Sequence, residues 1–321
     1  MIQEGYKLDF SNQTFGVILY GAPGVGKTTL AMSDGNNGAD TLLIDLEHGI
    51  GRTNPLHRMN CKILSAENYQ EVKKDLETPE ARAAKTIVID TAGALVEYLK
   101  QWAMETQPGA KDRNGNWNGL KGFGIVKTEM DSFVNQIKSV MNKNVVFIFH
   151  ADEKVDRDGN PIQRLRCEGS FRNTVWTGID FGALIQRQGG KRYANFVPDD
   201  DNPAKGCHGI EGKFEIPELT TGARNDFLAW LFDTARRNMQ KENDEVAGVI
   251  QNYNKIIGDV KEMVEGVTDA DSANACLNTI GAMEHVLTSK KECGKILNDK
   301  CKSLGLAYQK ATGSYVAGDP K

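Results

Sequence analysis

Gly21-Ala22-Pro23-Gly24-Val25-Gly26-Lys27-Thr28-Thr29 decides how this chain is read. It spells a complete G-x-x-x-x-G-K-[ST] phosphate-binding loop. Before it stands a strand-like run, Phe15 to Tyr20, and after it a helix-like start, Thr28 to Met32. Glycines let successive backbone N–H groups curl around one anion, and the following helix turns its positive end toward that anion. In such a loop Lys27 reaches the β- and γ-phosphates, and the Thr28 hydroxyl joins the shell of a Mg²⁺ ion. A glycine-rich turn can carry these letters by chance. The flanking strand and helix argue instead for a bound nucleoside triphosphate.

Outward from the loop, short apolar runs alternate with helical patterns. Thr41–Leu46, Thr86–Asp90 and Val145–His150 are continuous β-branched or aromatic runs, as parallel strands covered on both faces should be. Between them Tyr69-Val72-Leu76, Leu95-Tyr98-Leu99-Trp102 and Phe133-Ile137-Val140-Met141 repeat at helical spacing. Further strands are expected at 181–186 and 192–197, with a closing helix near 225–236. The pattern predicts an α/β fold, a doubly wound and mostly parallel sheet over residues 1–238. From about Met239 the apolar spacing changes to that of two or three amphipathic helices, expected over 239–310. These form either a small self-packed appendage or a docking arm. Residues 311–321, with Gly, Ser and Pro, are expected to be a flexible tail.

In open α/β sheets, ligands gather outside the carboxyl ends of the strands. Here those ends carry the phosphate loop, then Asp45-Leu46-Glu47-His48-Gly49, then Asp90-Thr91, then His150. Splitting a γ-phosphate requires charge neutralisation, a group that orients water and a donor to the γ-phosphate. Asp90, behind an apolar run, suits the metal. Glu47 suits the water, and His150 suits the γ-phosphate. Asp45 and Glu47 could also be ordinary loop carboxylates, and His150 a strand-end histidine bonded to backbone.

At these residues the chain resembles the RecA-type recombinases. Ile44-Asp45-Leu46-Glu47-His48 looks like their second-strand signature, in which the glutamate activates water, and Thr86 to Leu95 is similar to their second nucleotide motif. Phe147-Ile148-Phe149-His150 resembles the strand whose last polar residue senses the γ-phosphate, with histidine where bacterial RecA has glutamine. The likeness spans roughly 10–235. Some twenty residues precede the phosphate loop, too few for RecA's N-terminal polymerisation domain, and the C-terminal helices do not resemble RecA's last domain. The chain looks most like phage and prophage ATP-binding proteins that include core-only annealing recombinases. The resemblance implies ATP and Mg²⁺ as ligands, ATP hydrolysis, assembly of neighbouring cores into a ring or filament, and single-stranded DNA as partner.

Two segments offer basic groups for phosphates and aromatics for bases. Thr106–Gly124 holds Lys111, Arg113, Trp117, Lys121 and Phe123; Ala151–Asn173 holds Lys154, Arg157, Arg164, Arg166 and Arg172. They correspond to the two DNA-binding loops of RecA cores, although both could be solvated surface, and Phe171 and Trp176 could belong to the core. Gly189-Gly190-Lys191-Arg192 reads as a hairpin turn. In RecA-type assemblies basic residues of this region reach the neighbour's γ-phosphate, which makes Lys191 or Arg192 a trans-acting candidate.

The formal net charge of −4 over 321 residues argues against bulk electrostatic binding of nucleic acid, though not against a local basic patch. Six scattered cysteines without a C-x-x-C pair suit reduced thiols, and nothing near Cys207-His208 completes a metal site. No run approaches the roughly 18 apolar residues of a membrane span. A cytoplasmic chain is expected, in the bacterial host if phage-encoded. Besides a DNA-dependent ATPase, the letters allow a motor or loader acting on proteins and a nucleotide-binding scaffold with little turnover. A small-molecule phosphotransferase would need an arginine-rich lid, which is not found.

Overall fold

The computed structural model describes residues 5, 8–155, 161–167, 175–199, 202–218 and 224–318. The four runs read as strands are β1 (Gly16–Gly21), β2 (Thr41–Asp45), β4 (Thr86–Asp90) and β5 (Asn144–Val155); β3 (Lys62–Ser65) lies between β2 and β4 in sequence. With β6 (Pro161–Leu165), β7 (Phe181–Gln188), β8 (Lys191–Asn195) and β9 (Lys213–Ile216) they build a nine-stranded sheet in the order β3-β2-β4-β5-β1-β7-β8-β9, with β6 paired to β5. From β3 to β7 every neighbouring pair is parallel. The β7–β8, β8–β9 and β5–β6 pairs are antiparallel. This is the mostly parallel, doubly wound α/β sheet expected of a P-loop NTPase.

The period of two sorts the strand residues onto two faces. Ile18, Tyr20, Ile44, Ile89, Val145 and Phe147 join one core, and Val17, Leu19, Leu43, Val88, Val146 and Ile148 join the other. The first core is covered by α3 (Tyr69–Asp75), α5 (Ala92–Thr106) and α6 (Gly119–Asn135). The second receives α1 (Lys27–Ala31) and the start of α7 (Phe227–Glu265). Two short helices, α2 (Pro55–Arg58) and α4 (Pro79–Ala83), complete the connections. At the amino ends of the strands a buried polar chain closes the sheet. Asn144 accepts from the Phe15 N–H and donates to Thr86, whose hydroxyl donates to Asp34.

The chain divides into two compact units, 10–239 and the described residues of 1–9 and 240–321. The helix expected near 225–236 does not stop there; α7 runs on to Glu265 and contributes to both. In the second unit Ile256, Val260 and Val264 of α7 pack with α8 (Ala270–Ala282) and α9 (Ser289–Ser303). A capping box, Asp269 with Ser272, starts α8. The stretch expected to be a flexible tail instead supplies β11 (Ser314–Ala317), which pairs with β10 (Leu306–Gln309). Asn274 fixes that hairpin by bonding both the N–H and the carbonyl of Tyr315.

Candidate functional site

The phosphate loop leaves β1 at Gly21, whose φ of 157° and contact with β7 admit no side chain: a Cβ there would lie 2.3 Å from the Ile185 carbonyl oxygen. Gly24 (φ 76°) and Gly26 (φ 93°) complete the curl, and α1 begins at Lys27. The Lys27 ammonium is buried and donates to the carbonyls of Gly21 and Ala22, each at 2.9 Å. Burial lowers its pKa, while Asp90 and Glu47 push back upward. A cleft of about 530 Å³ opens over the loop, within the range of small-molecule sites. Pro23, Gly24, Val25, Gly26, Lys27, Thr28 and Thr29 line it together with Asp45, Glu47, Asp90, His150 and Arg192, so the four sequence motifs meet in one place.

Each carboxylate has its own set of partners. Asp90 ends β4 and accepts the Thr28 hydroxyl at 2.6 Å. Burial raises its pKa against that hydrogen bond, and Asp45 and Glu47 raise it further. A hydroxyl and a carboxylate, crowded by further negative charge, are the oxygen donors a hard dication prefers, and a cation would relieve the crowding. Among the described residues no three His, Cys, Asp or Glu side chains cluster to hold a metal unaided. An ion at Thr28 and Asp90 would therefore draw its remaining ligands from phosphate and water. Asp45, by contrast, accepts the N–H groups of Gly49 and Ile50, both at 3.0 Å, and fixes the turn that carries Glu47.

Glu47 stands between two donors. Thr91 gives its hydroxyl to Oε1 at 2.5 Å, and His150 Nε2 lies 3.2 Å from Oε2. A carboxylate only accepts, so Nε2 is the donor in this bond; Nδ1 is buried and has no hydrogen-bond partner among the described residues. Burial would protonate Glu47, but the hydrogen bonds from Thr91 and His150, helped by Arg52, outweigh it and hold the pKa below the ordinary value. His150 is not at a strand end, as expected, but inside β5. It marks the point where the strand leaves its parallel pairing with β1 at Gly21 and begins its antiparallel pairing with β6.

A profile of the AAA-domain family matches residues 14–208, more than half of the chain, and the matched span contains every one of these groups. The chain belongs to that family. No curated protein sequence matches it. Among solved structures, this AAA-domain protein is similar to a KaiC-like protein of Pyrococcus horikoshii (14% identity, 63% of this chain and 89% of that one, TM-score 0.36). It is also similar to an ATPase of the type III secretion system of pathogenic bacteria (11% identity, 54% and 51%, TM-score 0.35). A third is the ATP synthase subunit NeqB of Nanoarcheaum equitans (10% identity, 92% and 73%, TM-score 0.38). None of the three overlays closely enough to inform the chemistry here. Family and motif placement together make the chain a P-loop ATPase of the AAA-domain family. Among the described residues no helix is long and apolar enough to cross a membrane.

The remaining candidates of this AAA domain fall in three places. Lys111, Arg113 and Lys121 are exposed; the first two lie on a turn pinned by Asp112 and by pairing of Lys111 with Trp117, and Lys121 lies in the first turn of α6. Trp117 is no open platform: its ring meets Phe123 edge-on at 5.5 Å and presses on Gly122, where a Cβ would lie 2.5 Å away. The second segment is not one loop, because β5 and β6 extend it as a hairpin with Arg164 opposite Asp152, and Arg166 is 3.8 Å from Asp152. Lys154 is exposed on the same hairpin. Trp176 packs against the core, while Arg157, Phe171 and Arg172 lie outside the described residues. Lys191 pairs with Glu215 at 2.8 Å. Arg192 leans over this chain's own phosphate loop, its Nη1 2.6 Å from where a Cβ on Gly26 would sit. Thr91, Arg52 and Arg187 also belong to the site and carried no role in the sequence reading. A hydroxyl directly after the strand-end Asp90 was the available signal for Thr91.

Proposed function

We propose that this chain hydrolyses ATP, with Glu47 positioning and deprotonating the attacking water, and that nucleotide state controls its grip on single-stranded DNA in recombination, repair or annealing. The observation that carries the hydrolytic half is the Glu47 carboxylate clamped between Thr91 and His150 beside the phosphate loop. Each carboxylate oxygen accepts one fixed donor and keeps a free lone pair for water. The clamp also keeps Glu47 ionised in a partly buried site. Lys27 supplies positive charge to the phosphates and the loop N–H groups supply donors. When bound through Thr28 and Asp90, Mg²⁺ would neutralise phosphate charge.

The DNA half is supported by a second cavity, of about 940 Å³, in which Glu47, Thr91 and His150 meet Phe123, Asp152 and Arg166. The residues that hold the water-positioning glutamate thus share a wall with both basic segments. A shift of His150 toward the γ-phosphate would move β5 and its hairpin, a local change read out in a loop. Arg192 supports a revised role: it serves the triphosphate bound by its own chain rather than the neighbour's. Assembly of neighbouring cores belongs to the same proposal.

Phosphate release measured with and without a poly-deoxythymidine oligonucleotide tests the coupling. Stimulation by the oligonucleotide, with tighter DNA binding in a non-hydrolysable ATP analogue than in ADP, is expected. Turnover and DNA binding that ignore each other would refute it. A motor or loader acting on proteins is the second reading, and the separate unit of residues 240–318 favours it. That reading predicts stimulation by a protein partner and none by DNA.

A further inference from the structure

Residues 289–318 carry six lysines, at 290, 291, 295, 300, 302 and 310, against two acidic side chains, Glu292 and Asp299. The chain as a whole has a formal charge of −4, so this is a local reversal of sign. In α9 the apolar stripe Cys293, Leu297 and Cys301 is buried against α7 and α8. At 100° per residue, Lys291, Lys295, Asn298 and Lys302 fall within one narrow stripe on the opposite side. Lys291, Lys295 and Lys302 are exposed, and their ammonium groups form no ion pair or hydrogen bond with another described residue. The β10–β11 turn that follows presents Lys310, and β10 leaves the Tyr308 ring 47% exposed.

We propose that this lysine face, together with Lys310, is a second nucleic-acid site that grips the phosphate backbone without reading sequence. Twelve residues of helix, Lys291 to Lys302, place three positive charges along about 16 Å. A strand of nucleic acid offers a phosphate about every 3.4 Å along its axis, so three simultaneous contacts are within reach. A membrane surface is the weaker match. A helix lying on lipid inserts an apolar face, and the apolar face of α9 is already spent on its own core. The site lies in the second compact unit and stands independently of the coupling proposed for the ATPase core.

The test uses the full chain without nucleotide and a fluorescein-labelled 40-nucleotide oligonucleotide, single-stranded or duplex, with anisotropy read across a salt series. Two triple variants, Lys291→Glu/Lys295→Glu/Lys302→Glu and the same positions changed to Gln, are compared with the parent. Both should weaken binding about tenfold or more and lower the slope of log affinity against log salt by about 2 to 3, while DNA-free ATP hydrolysis stays unchanged. Unaltered affinity and slope in both variants would overturn the site. So would a parent chain that sediments with phosphatidylserine vesicles yet leaves the oligonucleotide free. Neutralising Lys111, Arg113 and Lys121 in parallel tests the core segment alone, so failure of either site is distinguishable from failure of the other.

Discussion

Asp45 and Glu47 sit two residues apart on one turn, and their hydrogen bonds give them different work. Asp45 spends both oxygens on backbone N–H groups, whereas Glu47 takes one donor on each oxygen and faces the cleft. Asp45→Ala should therefore lower kcat by loosening the turn, with nucleotide affinity nearly kept; equal loss of both would show that Asp45 contacts nucleotide. Thr91 makes a sharper case. It donates to Glu47 and also caps α5 through the Ala94 N–H. Glu47 has a folded pKa below its unfolded value, so the stability it contributes is present above the ordinary glutamate range and is lost as pH falls through the folded value. Thr91→Val leaves burial less opposed. The pKa of Glu47 then rises, and the acid limb of kcat/KM moves to higher pH. The lost cap costs about 1 kcal/mol of stability. An acid limb that stays in place would remove Thr91 from the clamp. Glu47, Asp90 and His150 were picked out in the sequence as strand-end groups, although His150 lies inside β5, whereas the contacts of Asp45 and Thr91 could not be read. Those depend on which N–H or carboxylate a turn brings within 3 Å.

At the scale of elements, most strands legible in sequence were those buried on both faces, because their apolar runs are continuous; β8, expected at 192–197, is the half-exposed exception. β3, Lys62-Ile63-Leu64-Ser65, and β9, Lys213-Phe214-Glu215-Ile216, escaped because edge strands need few apolar residues. The length of β5 escaped too, since beyond His150 it turns polar and is held by β6. The β1–loop junction is a tight local constraint. Gly21→Ala would drive a methyl group into the Ile185 carbonyl from a backbone conformation that L-residues avoid. Denaturant titration should show a loss of about 2 kcal/mol or more, with ATP affinity reduced alongside. A stable, fully binding variant would mean that β1 and β7 are set further apart. Gly122→Ala would likewise dislodge Trp117 and should alter DNA affinity more than DNA-free ATP turnover.

For the whole molecule, the open question is whether one chain completes its own site. Arg192 leans on Gly26 of the same chain, which predicts that mixing Lys27→Ala with Arg192→Ala chains yields no more hydrolysis than the two separately. A trans-acting arginine would restore activity in mixed assemblies, because one chain would supply the loop and its neighbour the guanidinium. The resemblance that suggested a trans role could not reveal this, since the fold of the β7–β8 turn over the loop is set by packing of distant segments. The proposed hydrolysis turns on Glu47 as the group that activates water. Its most direct test is steady-state phosphate release by the parent and by Glu47→Gln, each first shown to bind a fluorescent ATP analogue. Glu47→Gln should bind the analogue with near-parental affinity and lose turnover by about a hundredfold or more; turnover at the parental rate would contradict the account.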